Sequence, residues 1–185
     1  MKYCSSCGAP VRQEIPAGDN RHRHVCNDCD EIHYHNPNIV VGCVPQWQEQ
    51  IILCRRAIEP RVGYWTMPAG YLEIDESTDE GARREAEEEA GIDVDIGELL
   101  TLINIPQIAQ VHMIYLAELR TPDYAAGEES LEVQLFTEAE IPWDDLAFPT
   151  VKLTLEHFFA DRQAGNFKLH SEVLRHHGRD STAQP

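Results

Sequence analysis

Residues 70–92 read GYLEIDESTDEGARREAEEEAGI, and the rest of the chain is best read outward from them. Nine of these 23 residues are acidic, with Glu85, Glu87, Glu88 and Glu89 nearly consecutive. The stretch also carries the marks of a helix. Ser77 stands where an N-cap belongs, and Glu80, three residues on, completes a capping box. Ala82, Ala86 and Ala90 recur at four-residue spacing and form a narrow, close-packing face. Gly91 is placed to end the helix. On such a helix Glu85, Glu88 and Glu89 are spaced i, i+3 and i+4 and share one face. Like charges at that spacing cost about 0.2–0.5 kcal/mol per pair. A cluster of this kind suits hard divalent cations, because Mg²⁺ and Mn²⁺ prefer carboxylate oxygens. Arg84, one turn before Glu88, can hold that carboxylate by a forked hydrogen bond. A solvated acidic face is the competing reading, and it is the one expected for Glu80 and Glu87.

The 185 residues hold one domain, or one domain with a small appendage. A formal net charge of −17 repels nucleic-acid phosphates, so nucleic acid is not expected as a partner. An acidic protein still reaches a phosphate substrate when divalent cations bridge the two. No run of about 18 apolar residues is present, so no membrane span is expected. The opening MKYCSSCGAP lacks the apolar core of a signal peptide, and a cytoplasmic location is expected.

Residues 1–35 are poor in large apolar side chains and cannot build a core without a staple. They hold four of the six cysteines as two C-x-x-C pairs, Cys4 with Cys7 and Cys26 with Cys29. That pattern predicts a tetrahedral four-thiolate zinc site on two knuckles. Lys2, Arg12, Arg21 and Arg23 are outnumbered by acidic residues, so the ribbon is expected to be structural or dimerising rather than nucleic-acid binding. A homodimer is one expected arrangement. Cys43 and Cys54 lie in apolar runs and are expected in the core.

Beyond the Asn36-Pro37 turn the character changes. IVVGCVPQW and QIILCRRA read as a hairpin. LLTLINI, AQVHMIYLAEL and EVQLFT read as further strands, Pro122 to Ser130 as a flexible loop, and VKLTLEHFFADRQAG as a second helix closed by Gly165. The order lacks regular βαβ alternation, so the expected class is α+β, a mixed sheet between helices.

Gly70, Glu76, Arg84-Glu85, Glu88-Glu89, Gly91 and Ile92 resemble the Nudix box, G-x5-E-x7-R-E-U-x-E-E-x-G-U, where U is a bulky aliphatic residue. Every fixed position matches, and Ala86 is a small choice at the first aliphatic one. The resemblance implies a Nudix fold preceded by a small four-cysteine zinc ribbon. The expected division is ribbon 1–35, Nudix hydrolase domain 36–170 and polar C-terminal tail 171–185. It further implies Mg²⁺- or Mn²⁺-dependent hydrolysis of a nucleoside diphosphate linked to another group. Carried over by position, Glu85, Glu88 and Glu89 are the metal carboxylates and the Gly70 carbonyl an added ligand. Arg84 and Glu76 support the loop–helix geometry by ion pairing.

Within the family, the zinc ribbon is shared with NADH pyrophosphatases, but their SQPWPFPxS-type stretch is missing after Ile92. IHYHNPNIVVGCVPQW, ILCRRAIEPRVGYWTMPAGYLE, INIPQIAQVHMIYLAEL and GEESLEVQLFTEAEIPWDDLAF are similar to the FAD and ADP-ribose pyrophosphatase subgroup. The expected reaction is therefore cleavage of FAD or ADP-ribose with release of AMP. NADH or NAD-capped RNA hydrolysis is one alternative, and a non-catalytic ADP-ribose sensor is another. Arg55, Arg56 and Arg61 are candidates for phosphate contact, and Trp65, with Trp47, Tyr64 and Tyr71, for stacking on a ring. Nudix enzymes often take a general base from a loop outside the box. Glu129 is the candidate here, with Glu132 and Glu85 as alternatives.

Overall fold

A computed structural model describes residues 1–175. The chain divides into two compact units, one over Met1–Pro37 and one beginning at Asn38. In the first, β1 (Val11–Glu14), β2 (Arg23–Cys26) and β3 (Ile32–His33) form a three-stranded antiparallel sheet. Its buried apolar residues are Cys4, Val25 and Cys26. So small a core cannot offset the entropy of ordering the chain, which is why the unit calls for a covalent or metal staple.

The second unit opens with the expected hairpin, β4 (Asn38–Trp47) and β5 (Gln50–Arg56), turned through Gln48 in the left-handed region. Two short strands follow, β6 (Trp65–Thr66) and β7 (Ala69–Tyr71), and lead into α1 (Thr78–Ala90). After it come β8 (Val94–Ile105), β9 (Gln110–Leu119), β10 (Ser130–Phe136), α2 (Pro149–Ala164) and β11 (His170–Val173). The sheet order is β10-β5-β4-β9-β8-β11, with β6 added to β5 and β7 to β4. Strand β4 runs parallel to β9, and β11 parallel to β8; the other pairings are antiparallel. The sheet is mixed, as the absence of regular alternation in the sequence led us to expect.

Alternation along the central strands explains how one sheet carries two helices. Cys43, Ile52 and Cys54 pack with Ala86 and Ala90 of α1. Their neighbours Val44, Ile51 and Leu53 pack with Val151, Leu155 and Phe158 of α2. Successive side chains of a strand point to opposite faces, so the helices cover opposite sides. Both cysteines are buried in that core, and burial pushes their thiols well above the usual range.

The ends of α1 form as the sequence predicts. The Ser77 backbone N–H donates to Glu80 Oε2 at 2.8 Å, and Gly91 closes the helix with φ 61° and ψ 31°. Helix α2 is likewise closed by Gly165 in the left-handed region. The chain after residue 170 departs from the expected polar tail. His170–Val173 pairs with Thr101–Asn104 and extends the sheet, and the Leu174 N–H donates to the Asn104 carbonyl at 2.9 Å. The edge of β8 offers unpaired backbone groups, and backbone pairing is indifferent to polar side chains. The remainder of the tail, from residue 176, lies outside the described residues.

Candidate active site

Alanine at every fourth position lets α1 lie close on β4 and β5, and this sets the depth of its carboxylates. Glu85 and Glu89 are 8% and 6% exposed, whereas the Glu88 side chain is 60% exposed. Burial disfavours a charged carboxylate. Glu89 is therefore pushed up to about 8, first by burial and then by the neighbouring Glu85. Glu85 is raised as well, by burial, against the pull of Arg84. Strand β7 comes close on one side. A Cβ at Gly70 would run into the Glu85 carboxylate, and the Ala69 N–H donates to Glu89 Oε2 at 3.2 Å.

Arg84 organises this cluster. Its Nε and Nη2 donate to the two oxygens of Glu76 at 3.0 and 2.8 Å. Its Nη1 donates to Glu85 Oε1 at 2.7 Å and to Glu88 Oε2 at 3.0 Å. The fork expected at Glu88 is thus made to Glu76. The reason is prior order: the Glu73 N–H holds Glu76 Oε1 at 2.8 Å, fixing an acceptor pair for the planar guanidinium. Arg84 in turn holds the Glu76 carboxyl down at about 2. Nη2 also donates to the Tyr71 carbonyl at 3.1 Å, so one side chain ties helix, loop and β7 together.

A cavity of ≈ 1240 Å³ adjoins the cluster. Glu85, Glu88, Glu89, Arg84 and Gly70 line it, as do Glu128 and Glu129 from the loop before β10. The sequence reads as a flexible loop there. Instead it is docked on the C-terminal turn of α1. The Ala125 N–H donates to the Ala90 carbonyl at 2.9 Å and the Gly127 N–H to the Glu89 carbonyl at 3.2 Å. A Cβ at Gly127 would overlap the Glu88 backbone, so only glycine permits this approach. The Glu129 carbonyl accepts from the Ala57 N–H at 2.8 Å, which fixes the loop's other end. Glu132 sits on β10 opposite Arg55, with an Nη1–Oε2 distance of 3.6 Å, and does not line the cavity.

Of Arg55, Arg56, Arg61 and Trp65, Arg56 alone lines the cavity. It lies over the Phe148 ring at 5.2 Å, and its charge acts on Glu89. Arg55 is engaged by the Gly63 carbonyl and Glu132, and Arg61 stacks over Tyr64. Trp65 packs edge-on against Phe136 at 5.0 Å beside the α2 core. The pairing of β6 with β5 turns it there, because its register partner Arg55 alternates with Ile51 and Leu53 on the face that α2 covers. Tyr71 does line the cavity.

In the first unit the four sulfurs of Cys4, Cys7, Cys26 and Cys29 lie within 4.8 Å of one another. Three of the separations are 3.4, 3.6 and 3.8 Å. A tetrahedral zinc with bonds of about 2.3 Å would set its sulfurs about 3.8 Å apart. Backbone N–H groups of Ser6, Asp28 and Cys29 point at the sulfurs, each at 3.4 Å, a pattern that favours thiolate ligands.

A family model described as the NUDIX domain matches residues 36–160, and one described as Nudix N-terminal, a zinc ribbon, matches residues 2–35. The chain belongs to the Nudix family. The resemblance read from Gly70 to Ile92 and from the paired cysteines is thereby borne out, and the protein is a Nudix hydrolase. A crystal structure of a Nudix hydrolase from Nitrosomonas europaea is 44% identical, with a TM-score of 0.92 over 94% of this chain and 99% of that one. An ADP-ribose pyrophosphatase of Methanocaldococcus jannaschii is 23% identical over 67% of this chain and 75% of that protein. An NAD-capped RNA hydrolase NudC of Edwardsiella ictaluri is 30% identical over 69% of this chain, which spans 46% of its length.

Sequence reasoning passed over several residues of this Nudix cavity. His112 and Gln110 on β9, Ile105 at the end of β8, and Phe148 before α2 all line it. None carries a local signal. AQVHMIYLAEL reads as a strand, and nothing in it says which polar residue faces a cavity. Only the parallel pairing of β9 with β4 puts His112 beside Val40 and, one strand further, Tyr71.

Proposed function

We propose that this Nudix hydrolase is a Mg²⁺- or Mn²⁺-dependent pyrophosphatase that hydrolyses the diphosphate bond of ADP-ribose, FAD or both, releasing AMP. The observation that carries the reading is the buried pair Glu85 and Glu89, beside exposed Glu88, opening on a cavity large enough for a dinucleotide. Two buried carboxylates side by side, Glu85 paired with Arg84 and Glu89 with the Ala69 N–H, carry more negative charge than one arginine offsets and fit a hard divalent ion. When bound, that ion neutralises phosphate oxygens and lowers the pKa of a water. The ADP-ribose pyrophosphatase relative supports the substrate class.

The residues divide the work as follows. Glu85, Glu88 and Glu89 hold the cation, with the Gly70 carbonyl as an added ligand. Arg84 orients Glu85 and Glu88 by its paired Nη1 bonds. Arg56 faces the phosphates from the cavity wall. Water attacks one phosphorus, the bridging P–O bond breaks, and the departing phosphate keeps the bridging oxygen. Glu129 takes the water's proton. Its place in the cavity favours it over Glu132, which is committed to Arg55. For ADP-ribose the products are AMP and ribose 5-phosphate; for FAD, AMP and FMN. Cys4, Cys7, Cys26 and Cys29 hold a structural zinc, and the enzyme acts in the cytoplasm.

The test is a panel of ADP-ribose, FAD, NADH and NAD-capped RNA with Mg²⁺ or Mn²⁺, read as AMP or monophosphate release. Turnover of ADP-ribose or FAD above the others is expected, and no turnover of any of them would refute the catalytic reading. The relatives named NAD-capped RNA hydrolases sustain a second reading, in which the capped RNA is preferred.

A further inference from the structure

The first turn of α2 opens on the same cavity and has no part in the chemistry above. Phe148, Pro149 and Thr150 all line it. An α-helix leaves its first N–H groups without intrahelical partners, and here most of them are accounted for. Pro149 has no N–H, and the Val151 and Lys152 N–H groups donate to the Phe148 carbonyl at 3.0 and 3.3 Å. That leaves the Thr150 N–H, which meets no acceptor among the described residues. Phe148, in the N-cap position, has no side-chain oxygen to offer it. The Thr150 hydroxyl is likewise unbonded among the described residues. Thr150 is only 5% exposed, and the surface it keeps is in the cavity. Among the described residues no buried side-chain nitrogen or oxygen lacks a partner, so the unbonded Oγ1 lies on that surface.

The turn itself is positive. A helix carries about half a positive charge at its N-terminus, and no acidic residue stands in the first turn of α2 to offset it. Arg56 lies over the Phe148 ring at 5.2 Å, with its Nε committed to the Pro60 carbonyl at 3.0 Å. The same charge acts on Glu89. One guanidinium thus stands between the carboxylates of α1 and the start of α2. Backbone bonds hold the two ends to one segment. The Ala147 N–H donates to the Trp65 carbonyl at 2.8 Å, and four residues beyond Trp65 the Ala69 N–H donates to Glu89.

We infer that the start of α2 is a cation-independent phosphate site, in which the Thr150 N–H and hydroxyl, with Arg56, hold the phosphoryl group of the substrate that the divalent ion does not carry. An N–H and a guanidinium only donate, so the site takes an acceptor whichever way the hydroxyl turns, and the helix end favours an anionic one. This rests on the pyrophosphatase reading and deepens it: the diphosphate lies between two poles, the carboxylates of α1 with their cation and the donors of α2. When the bridging bond breaks, the phosphate at Thr150 keeps its donors, and that monophosphate product stays bound there.

The experiment reads binding without turnover. The full-length protein, dialysed free of Mg²⁺ and Mn²⁺ with its zinc retained, is titrated by calorimetry with AMP and with adenosine, which differ only in the phosphate. A chain of formal net charge −17 without such a site would repel AMP. AMP is expected to bind about tenfold or more tighter than adenosine. Thr150→Val keeps the shape and the N–H but removes the hydroxyl, and should lower AMP affinity about 3–10-fold with adenosine binding unchanged. Thr150→Ser keeps the hydroxyl and should stay within about twofold of the wild type, which separates the contact from a loss of packing. A phosphate preference lost in Thr150→Val, in a protein that hydrolyses none of the dinucleotides, would uphold this site and remove the pyrophosphatase reading. AMP bound no tighter than adenosine by the wild type, or the wild-type ratio retained in Thr150→Val, would overturn the assignment.

Discussion

Glu89 makes cation binding a proton-exchange reaction. Its carboxyl, buried under α1 beside Glu85, is pushed up to about 8. At pH 7 such a group is about nine-tenths protonated, and a cation needs the carboxylate. Binding of Mg²⁺ at pH 7 should therefore release about 0.9 proton, falling to about 0.1 at pH 9. The competition weakens apparent affinity roughly tenfold at pH 7 relative to pH 9. Titration calorimetry in buffers of different ionisation enthalpy counts the protons directly, and Glu89→Gln should abolish the release. The same group acts on stability in the cation-free protein. Its folded pKa lies above its unfolded one, so its contribution is complete below about pH 4.3 and is lost as pH rises through 8. Between pH 6 and 9 the loss is roughly 3 kcal/mol, or about 6–12 °C in the melting temperature, and saturating Mg²⁺ should recover most of it. Fewer than about 0.2 proton released at pH 7, with the same affinity at pH 7 and 9, would mean that Glu89 is already ionised in the cation-free site.

Other substitutions separate the roles assigned above. Glu88→Gln and Glu89→Gln keep shape but remove charge, and each should lower kcat by about 10²-fold or more with the fold intact by circular dichroism; unchanged turnover at saturating Mg²⁺ would remove that residue from the cation site. Glu129→Gln should depress kcat by about 10²–10⁴-fold with little change in KM, while Glu132→Gln stays within a few-fold of wild type; the reverse pattern would transfer the base to Glu132. Gly127→Ala forces the loop off the end of α1 and should cost about 1–3 kcal/mol in stability together with about 10²-fold in kcat through misplacement of Glu129, so an alanine variant with wild-type kinetics would show the docking to be irrelevant. Chelation of the metal at Cys4, Cys7, Cys26 and Cys29 should unfold residues 1–35, seen as loss of amide protection there; metal analysis without zinc and protection that survives chelation would contradict the staple.

The sequence by itself determined the features that depend on local spacing. A helix repeats every 3.6 residues, so Glu85, Glu88 and Glu89 had to share a face and Ala82, Ala86 and Ala90 another. Caps follow from single residues, and Ser77, Glu80, Gly91 and Gly165 stand as read. Two C-x-x-C pairs carry their own geometry, and the four sulfurs converge. Tertiary structure decided what depends on which strand lies beside which. The parallel pairing of β9 with β4 put His112 in the cavity, and the pairing of β6 with β5 took Trp65 and Arg55 out of it. The bonds from Ala125 and Gly127 to the end of α1 turned an acidic loop read as flexible into a docked support for Glu129. The Arg84 fork went to Glu76 because a loop already ordered by backbone bonding offers a better partner than an exposed side chain one turn along. The depth of each carboxylate was also settled there. Glu88 and Glu89 are adjacent in sequence and identical in chemistry, and one meets water while the other meets the sheet. Desolvation, which sets their charge, is a property of the neighbours that folding supplies.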